Sequence, residues 1–411
     1  MTSAKRLDVC FTVSPSEQFP VGTLAERQRR VYFQYDEGWL RRKLELSPFT
    51  LASRAGLIEH TDRAFGALPG LFDDALPDGW GRLLMDRHFR QLGIEPAAVS
   101  PLDRLAYLGA RTMGALTFYP PAEREGLVDS VFDLHALARE AQRVYAGQTG
   151  EVLPQLLRAG GSPGGARPKV LVGYHPEGDE IVSGEGDLPA GFEHWIVKFA
   201  AKEDGASAGA VEYAYSLMAK AAGLTLPETR LFETARDRFF GVKRFDRASG
   251  NRRLHIHTFG NLIHADFRLP GFDYADLLKA TNILTQDHRD VLAAFRLMVF
   301  NVLAHNRDDH VKNFSFTMDH ESGRWALAPA YDLTFSVGPG GEHSTTVSGE
   351  GKAPSSEQML ALASAPGISA KEARMIIDDV RGAVSRWSSF AKEAGVEATD
   401  RGAIGKSIAA S

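Results

Sequence analysis

The stretch from Val291 to Leu333 restricts what this chain can fold into more than any other. Val291, Leu292, Phe295, Met298, Val299, Val302 and Leu303 recur at helical spacing, which predicts a buried helix ending beside His305. A polar octet follows, Asn306-Arg307-Asp308-Asp309-His310-Val311-Lys312-Asn313. Then Phe314-Ser315-Phe316-Thr317, a turn at Glu321-Ser322-Gly323 and Arg324-Trp325-Ala326-Leu327 read as a β-hairpin, which ends at Pro329-Ala330-Tyr331-Asp332-Leu333. A helix and a hairpin on either side would hold the octet in one place.

Inside the octet, Asp308 and Asn313 are spaced Asp-x-x-x-x-Asn, the spacing of a kinase catalytic loop. Asp308 would accept a proton from an attacking hydroxyl, and the amide oxygen of Asn313 would hold magnesium that neutralises phosphate charge. Asp332 would be a second metal ligand. Read singly, the octet is an Asx-rich loop and Asp332 an N-cap. Helix, loop, hairpin and a lone aspartate in this order are what a kinase catalytic segment requires. Tyr331 before Asp332 and Leu333-Thr334 after it depart from the Asp-Phe-Gly element, so no activation switch follows from it.

A kinase also needs a lysine that grips phosphates. In the alternating strand Glu193-His194-Trp195-Ile196-Val197-Lys198-Phe199, Lys198 shares a face with Ile196, which predicts a paired, partly buried lysine. A helix expected over residues 208–222 offers Glu212 as its partner, although a solvated glutamate is the plainer reading of that residue. Upstream lies Ala159-Gly160-Gly161-Ser162-Pro163-Gly164-Gly165-Ala166-Arg167-Pro168-Lys169, followed by the strand-like Val170-Leu171-Val172. Its glycines would let backbone N–H groups approach phosphate oxygens, and Arg167 and Lys169 add positive charge. The run matches neither a Walker A loop nor Gly-x-Gly-x-x-Gly, and its place just before the Lys198 strand argues against a linker.

Taken together, Gly161 to Lys169, Lys198, Lys243-Arg244-Phe245-Asp246-Arg247, Asn306 to Asn313 and Leu327 to Leu333 resemble the HipA serine/threonine kinases, toxins of bacterial type II toxin–antitoxin pairs. Leu68-Pro69-Gly70-Leu71-Phe72 and the run from Leu76 to Leu84 are similar to that family's amino-terminal subdomain. The resemblance implies an α+β, protein-kinase-like two-lobed fold with a mixed α/β amino-terminal subdomain and a mostly helical carboxy-terminal lobe. It implies ATP and Mg2+ as cofactors, Asp308 as catalytic base, Asn313 and Asp332 as metal ligands, and Lys198 on the nucleotide phosphates. Gly161, Ser162, Gly164 and Gly165 would line the phosphates, and the backbone of Lys243, Arg244 and Phe245 would meet adenine. His310 and Lys312, inside the matched loop, would take supporting roles in cofactor binding; a packed structural histidine is an equal reading of His310. Ser162 would be autophosphorylated, expelling the loop by charge repulsion. The implied partners are a HipB-like DNA-binding antitoxin, with DNA reached only through it, and a protein substrate, an aminoacyl-tRNA synthetase.

Composition bounds these expectations. The 411 residues allow two or three cores. Strands expected over residues 6–13, 30–35 and 115–119, with helices over 78–92 and 131–145, divide the chain into an amino-terminal subdomain (1–125), a nucleotide-binding lobe (126–247) and a mostly helical lobe (248–411). In the last, Ile376, Val380, Val384 and Trp387 form one apolar stripe. A net charge of −5 argues against a chain-wide nucleic-acid surface. Cys10, the only cysteine, excludes a thiolate zinc cluster, and no apolar run is long enough to cross a bilayer, so a cytoplasmic protein without membrane contact is expected. Two other classes stay open: a metal-dependent phosphohydrolase built on His305, Asp308, Asp309 and His310, and a non-catalytic partner of the antitoxin.

Overall fold

The computed structural model describes residues 4–121, 132–149, 152, 154–159, 164–201, 204–205, 207–234, 237–269 and 271–409. The amino-terminal part is a five-stranded antiparallel sheet in which β1 (Arg6–Ser14), β2 (Glu17–Arg27), β3 (Arg30–Tyr35), β4 (Leu57–Glu59) and β5 (Leu116–Tyr119) run in the order β4-β3-β2-β1-β5. Leu7, Val9, Phe11 and Val13 alternate inward along β1 and are buried, as period-two patterning requires. Sequence patterning predicts neither β2 nor β4. The ladder of β2 with β1 shifts register between Val9 and Cys10, opposite Pro20, a residue with no N–H to give.

Helix α1 (Gly79–Gln91) and helix α2 (Pro101–Leu108) connect this sheet internally. A capping box between Ser100 and Asp103 starts α2 and Gly109 ends it. Helix α3 (Leu134–Tyr145) begins at Asp133, whose carboxylate accepts the N–H groups of His135 and Ala136; Val131, the expected start, lies outside the described residues.

The second sheet contains β6 (Lys169–His175), β7 (Glu180–Ser183), β8 (Glu193–Lys198), β9 (Thr229–Glu233) and β10 (Arg238–Lys243) in the order β7-β6-β8-β10-β9. Val170, Val172, Trp195 and Val197 pack with Leu137, Ala141 and Val144 of α3 on its back. Its front faces helix α4 (Ala208–Ala221), which lies between β8 and β9 in sequence.

The carboxy-terminal lobe holds a three-stranded sheet, β11 (His255–Thr258), β12 (Ser315–Met318) and β13 (Trp325–Leu327), and helices α5 (Tyr274–Thr285), α6 (His288–Leu303), α7 (Ser356–Ser364), α8 (Ala370–Val384), α9 (Trp387–Glu393) and α10 (Ala398–Ala409). The predicted hairpin is β12–β13, with Phe316 opposite Leu327 and Met318 opposite Trp325. Every member of the predicted α6 stripe is buried except Leu292, which is half-buried. One expectation is corrected. Trp387 does not continue the Ile376–Val380–Val384 helix: α8 stops at Val384 and Trp387 opens α9, where it packs on Tyr215 of α4 at 5.3 Å between ring centroids.

The amino-terminal sheet does not stand apart. Its inner residues and those of β12 and α6 belong to one continuous core. Polar contacts stitch the seam: His257 Nδ1 lies 2.5 Å from Asp74 Oδ2, Thr258 N donates to the same oxygen at 2.8 Å, and His255 Nε2 is 3.1 Å from the Leu46 carbonyl.

Candidate active site

Strand β8 delivers Lys198 to the front of the second sheet, where its Nζ lies 2.5 Å from Glu212 Oε1 on α4 and is also ion-paired to Asp332 Oδ1 from the other lobe. Burial opposes the Lys198 charge, but Asp332 and Glu212 outweigh it and hold the ammonium above its ordinary range. Burial alone would raise the Asp332 carboxyl; Lys198 and Lys169 instead bring it down to about 2, so it is ionised at neutral pH. Burial pushes the Glu212 carboxyl up against the pull of Lys198. The strand-face argument for a paired Lys198 thus finds its geometry.

Lys169, expected to add positive charge beside the glycine run, lies next to Lys198. It opens β6 directly opposite Lys198 in the β6–β8 register, so both side chains rise from the same face of the sheet. Lys169 is 4% exposed, and its Nζ donates to the Gly164 carbonyl at 2.5 Å. Burial lowers its pKa, Asp332 opposes that and Lys198 adds to it.

The octet sits between α6 and β12 on a chain of buried hydrogen bonds. Asn306 Nδ2 donates to Asn301 Oδ1 (2.9 Å), Asn301 Nδ2 to Tyr274 Oη (2.9 Å), and Tyr274 Oη to Asp309 Oδ2 (2.7 Å). His343 Nδ1 lies 2.8 Å from the same Asp309 oxygen, and Ser344 N donates to Asp309 Oδ1 at 2.8 Å. Asp309 is fully buried and both of its oxygens are engaged by protein donors. The phosphohydrolase reading required Asp309 as a metal ligand, and this engagement is incompatible with that role. His305, in the left-handed region at φ 53°, stacks on Phe335 (6.3 Å) instead of joining Asp308.

Asp308 points the other way, exposed to the cleft yet walled by protein. That crowding raises its carboxyl above the ordinary range; His310 and Arg167 draw it down, and Asp332 and Asp309 push it further up. Asp308 therefore feels the charges of Asp332 and of Arg167, the latter ion-paired with Asp204. Asn313 closes a short 3-10 turn, and its Nδ2 donates to the Asp308 carbonyl at 2.6 Å. Its Oδ1 is the end left over. Asn313 Oδ1 and the Asp332 carboxylate are hard oxygens, the donor type that Mg2+ takes in small number when water and phosphate complete its octahedron, so their chemistry fits that ion. Among the described residues no cluster of three or more His, Cys, Asp or Glu could hold a metal ion.

His310 and Lys312 are structural as well as adjacent. His310 Nδ1 accepts the Lys312 N–H at 3.3 Å, and its ring packs 5.3 Å from Phe267. Lys312 Nζ reaches Asp73 Oδ2 (3.5 Å) and Asp78 Oδ2 (3.9 Å) of the amino-terminal part.

At the hinge, the N–H groups of Lys243 and Arg244 are taken by the carbonyls of Glu228 and His194 (2.9 and 2.8 Å). Lys243 Nζ pairs with Glu193 (2.6 Å), and the buried Arg244 guanidinium grips both Asp246 oxygens (2.9 and 2.7 Å). Among the described residues no backbone carbonyl accepts the Phe245 N–H. The Phe245 ring stacks on Tyr331 at 5.9 Å. Gly164 and Gly165 lie beside Lys169, whereas Gly161 and Ser162 lie outside the described residues.

Two lobes, a sheet lysine paired to a helix glutamate, and an aspartate–asparagine loop facing a second aspartate define a protein-kinase-like α+β fold. The family model described as HipA-like C-terminal domain matches residues 161–387, and that described as HipA N-terminal domain matches residues 16–119. The chain belongs to the HipA family. The HipA chain of a solved complex from Shewanella oneidensis MR-1, with HipB and operator DNA, superposes with a TM-score of 0.71 at 17% identity, covering 98% of this chain and 94% of that one. The Sinorhizobium fredii protein named "Putative kinase Y4dM" is 25% identical over 340 residues, 77% of this chain and 75% of that protein. Among the described residues no helix is long and apolar enough to cross a membrane.

Proposed function

We propose that this protein is an ATP- and Mg2+-dependent protein serine/threonine kinase acting as a toxin. The observation that carries the reading is the Glu212–Lys198–Asp332 chain of ion pairs between the lobes, with Asp308 close enough to feel the Asp332 charge. Bound ATP with Mg2+ would supply the transferable phosphoryl group. Lys198 and Lys169 neutralise phosphate charge, and the Gly164 backbone approaches it closely, the Gly165 N–H being held by Asp78. Asn313 Oδ1 and Asp332 hold the ion, and the Phe245 N–H meets the base. Asp308 accepts the proton of a serine or threonine hydroxyl, and its raised pKa makes it a stronger base than an ordinary carboxylate. Autophosphorylation at Ser162 and an aminoacyl-tRNA synthetase as substrate belong to the same reading. So does pairing with a HipB-like antitoxin that carries the contact with DNA, supported by the HipB and operator in the related complex.

The test is incubation of purified protein with γ-labelled ATP, Mg2+ and a cell lysate. Wild type labels a host protein and itself at Ser162, while Asp308→Ala lowers labelling by roughly two orders of magnitude or more. Equal labelling by both would remove Asp308 from the chemistry. Phosphate released only to water, undiminished in Lys198→Met, would restore a hydrolase.

A further inference from the structure

The amino-terminal part makes an unexpected contact with the glycine run. Asp78 holds the N-cap position of α1 but makes no capping bond to its own helix. Its Oδ1 instead accepts the Gly165 N–H. Two residues on, Trp80 N donates to the Gly165 carbonyl at 3.1 Å, and Trp80 Nε1 donates to the Lys169 carbonyl at 2.9 Å. Both ends of the stem from Gly165 to Lys169 are thus fastened to another part of the molecule by Asp78 and Trp80. Between them sits Gly79, at φ 38°, where a Cβ would lie 2.5 Å from Ala166 Cα and 2.7 Å from the Gly165 carbonyl oxygen. Only glycine admits that approach. Lys312 of the octet reaches Asp78 as well (3.9 Å), so one carboxylate faces both the glycine stem and the catalytic loop.

We propose that Asp78, Gly79 and Trp80 are positioning residues that seat the glycine stem at the distance from Asp332 and Asn313 that nucleotide phosphates require. The proposal rests on the kinase reading above and adds a role for the amino-terminal part within the nucleotide site. Asp78 is suited to this because an uncapped α1 terminus leaves its carboxylate uncommitted to the helix. A carboxylate accepting a backbone N–H makes a charge-assisted bond, stronger than a neutral one. None of the three residues touches the reacting atoms. Their effect is transmitted through Lys169 and the Gly164 and Gly165 backbone.

The experiment compares wild type, Asp78→Ala, Asp78→Asn and Gly79→Ala in the full chain by two readouts. Hydrogen exchange of the amides from Gly165 to Val170 reads the seat itself. Binding of a fluorescent ATP analogue with Mg2+ reads its consequence. Asp78→Ala and Gly79→Ala should speed exchange in that segment and weaken nucleotide binding by about tenfold or more, the scale of one lost hydrogen bond to a charged acceptor. Exchange in β1 to β3 should stay slow, which separates a lost seat from a lost fold. Asp78→Asn keeps an oxygen acceptor and should recover most of both readouts. Unchanged exchange and unchanged affinity in Asp78→Ala and Gly79→Ala would overturn the proposal while leaving the kinase reading intact. A wild type that binds no nucleotide, even if exchange responds to the variants as expected, would sink the kinase reading and this role with it.

Discussion

Asp308 and Asp309 are adjacent in sequence and do opposite work, so alanine at each should give opposite phenotypes. Removing the Asp309 carboxylate strands four donors at once: Tyr274 Oη, His343 Nδ1 and Ser344 N, each within 2.8 Å of it, and Thr345 N at 3.4 Å. Each unsatisfied buried donor costs about 1–3 kcal/mol. These donors share one acceptor group and relax together, so the total should approach the ~3–5 kcal/mol seen when a buried pair loses one partner. Asp308 is exposed to the cleft, and its environment disfavours its charge, so Asp308→Ala should leave stability within about 0.5 kcal/mol or raise it slightly. The assay is urea denaturation followed by tryptophan fluorescence, run beside phosphorylation of lysate protein. Asp308→Ala should lose labelling with an unchanged midpoint, and Asp309→Ala should lose several kcal/mol. An Asp309→Ala protein as stable as wild type would refute the assignment of Asp309 as the anchor of the loop.

Other outcomes follow from the same geometry. Because Asp308 titrates above the usual carboxylate range, the acid limb of kcat/KM should lie above about pH 4, and Arg167→Ala, which removes a charge that lowers that pKa, should move the limb upward. His194, His255 and His305 are each lowered to about 4, chiefly by burial, so the unfolded chain binds protons first. Their contribution to stability is complete above about pH 6.5 and declines from there toward pH 4, and denaturation midpoints measured across that window should fall accordingly. Asp246→Ala leaves Arg244 and Arg247 buried without their shared carboxylate and should cost about 3–5 kcal/mol by chemical denaturation. Asp246→Ala with an unshifted midpoint would mean that water satisfies both guanidinium groups.

Local pattern made much of this molecule legible. The α6 stripe, the β12–β13 hairpin, the β8 strand and the α1 and α3 helices all lie where apolar spacing puts them, because each buries one face and its sequence records which. What escaped depended on partners distant in the chain. Strand β2 carries Pro20 in its interior, and only the register shift opposite it makes that residue tolerable. Helix α2 has Leu102, Asp103, Arg104, Leu105, Ala106, Tyr107 and Leu108 all buried, so no polar face marks its period. The Lys198–Glu212 pair could be suspected from strand and helix faces, but the third member, Asp332, reaches Lys198 only across the cleft. Nothing in the octet itself distinguishes Asp308 from Asp309. The difference lies in Tyr274 and His343, residues 35 and 34 positions away. His310 and Lys312 are joined by a hydrogen bond within the loop, which has no counterpart in the sequence pattern.

The unbroken apolar interior has a practical consequence for anyone dissecting this protein. Phe11 of β1 lies 5.9 Å from the His255 ring, and the backbone at Gly70 approaches Asn261 so closely that a Cβ there would meet its carbonyl oxygen at 1.9 Å. A fragment that starts at residue 132 would carry into water the wall that Leu7, Val9, Phe11 and Phe33 normally cover. Such a fragment should aggregate, and mixing it with a separately made 1–121 piece should restore solubility only if the two halves reassemble.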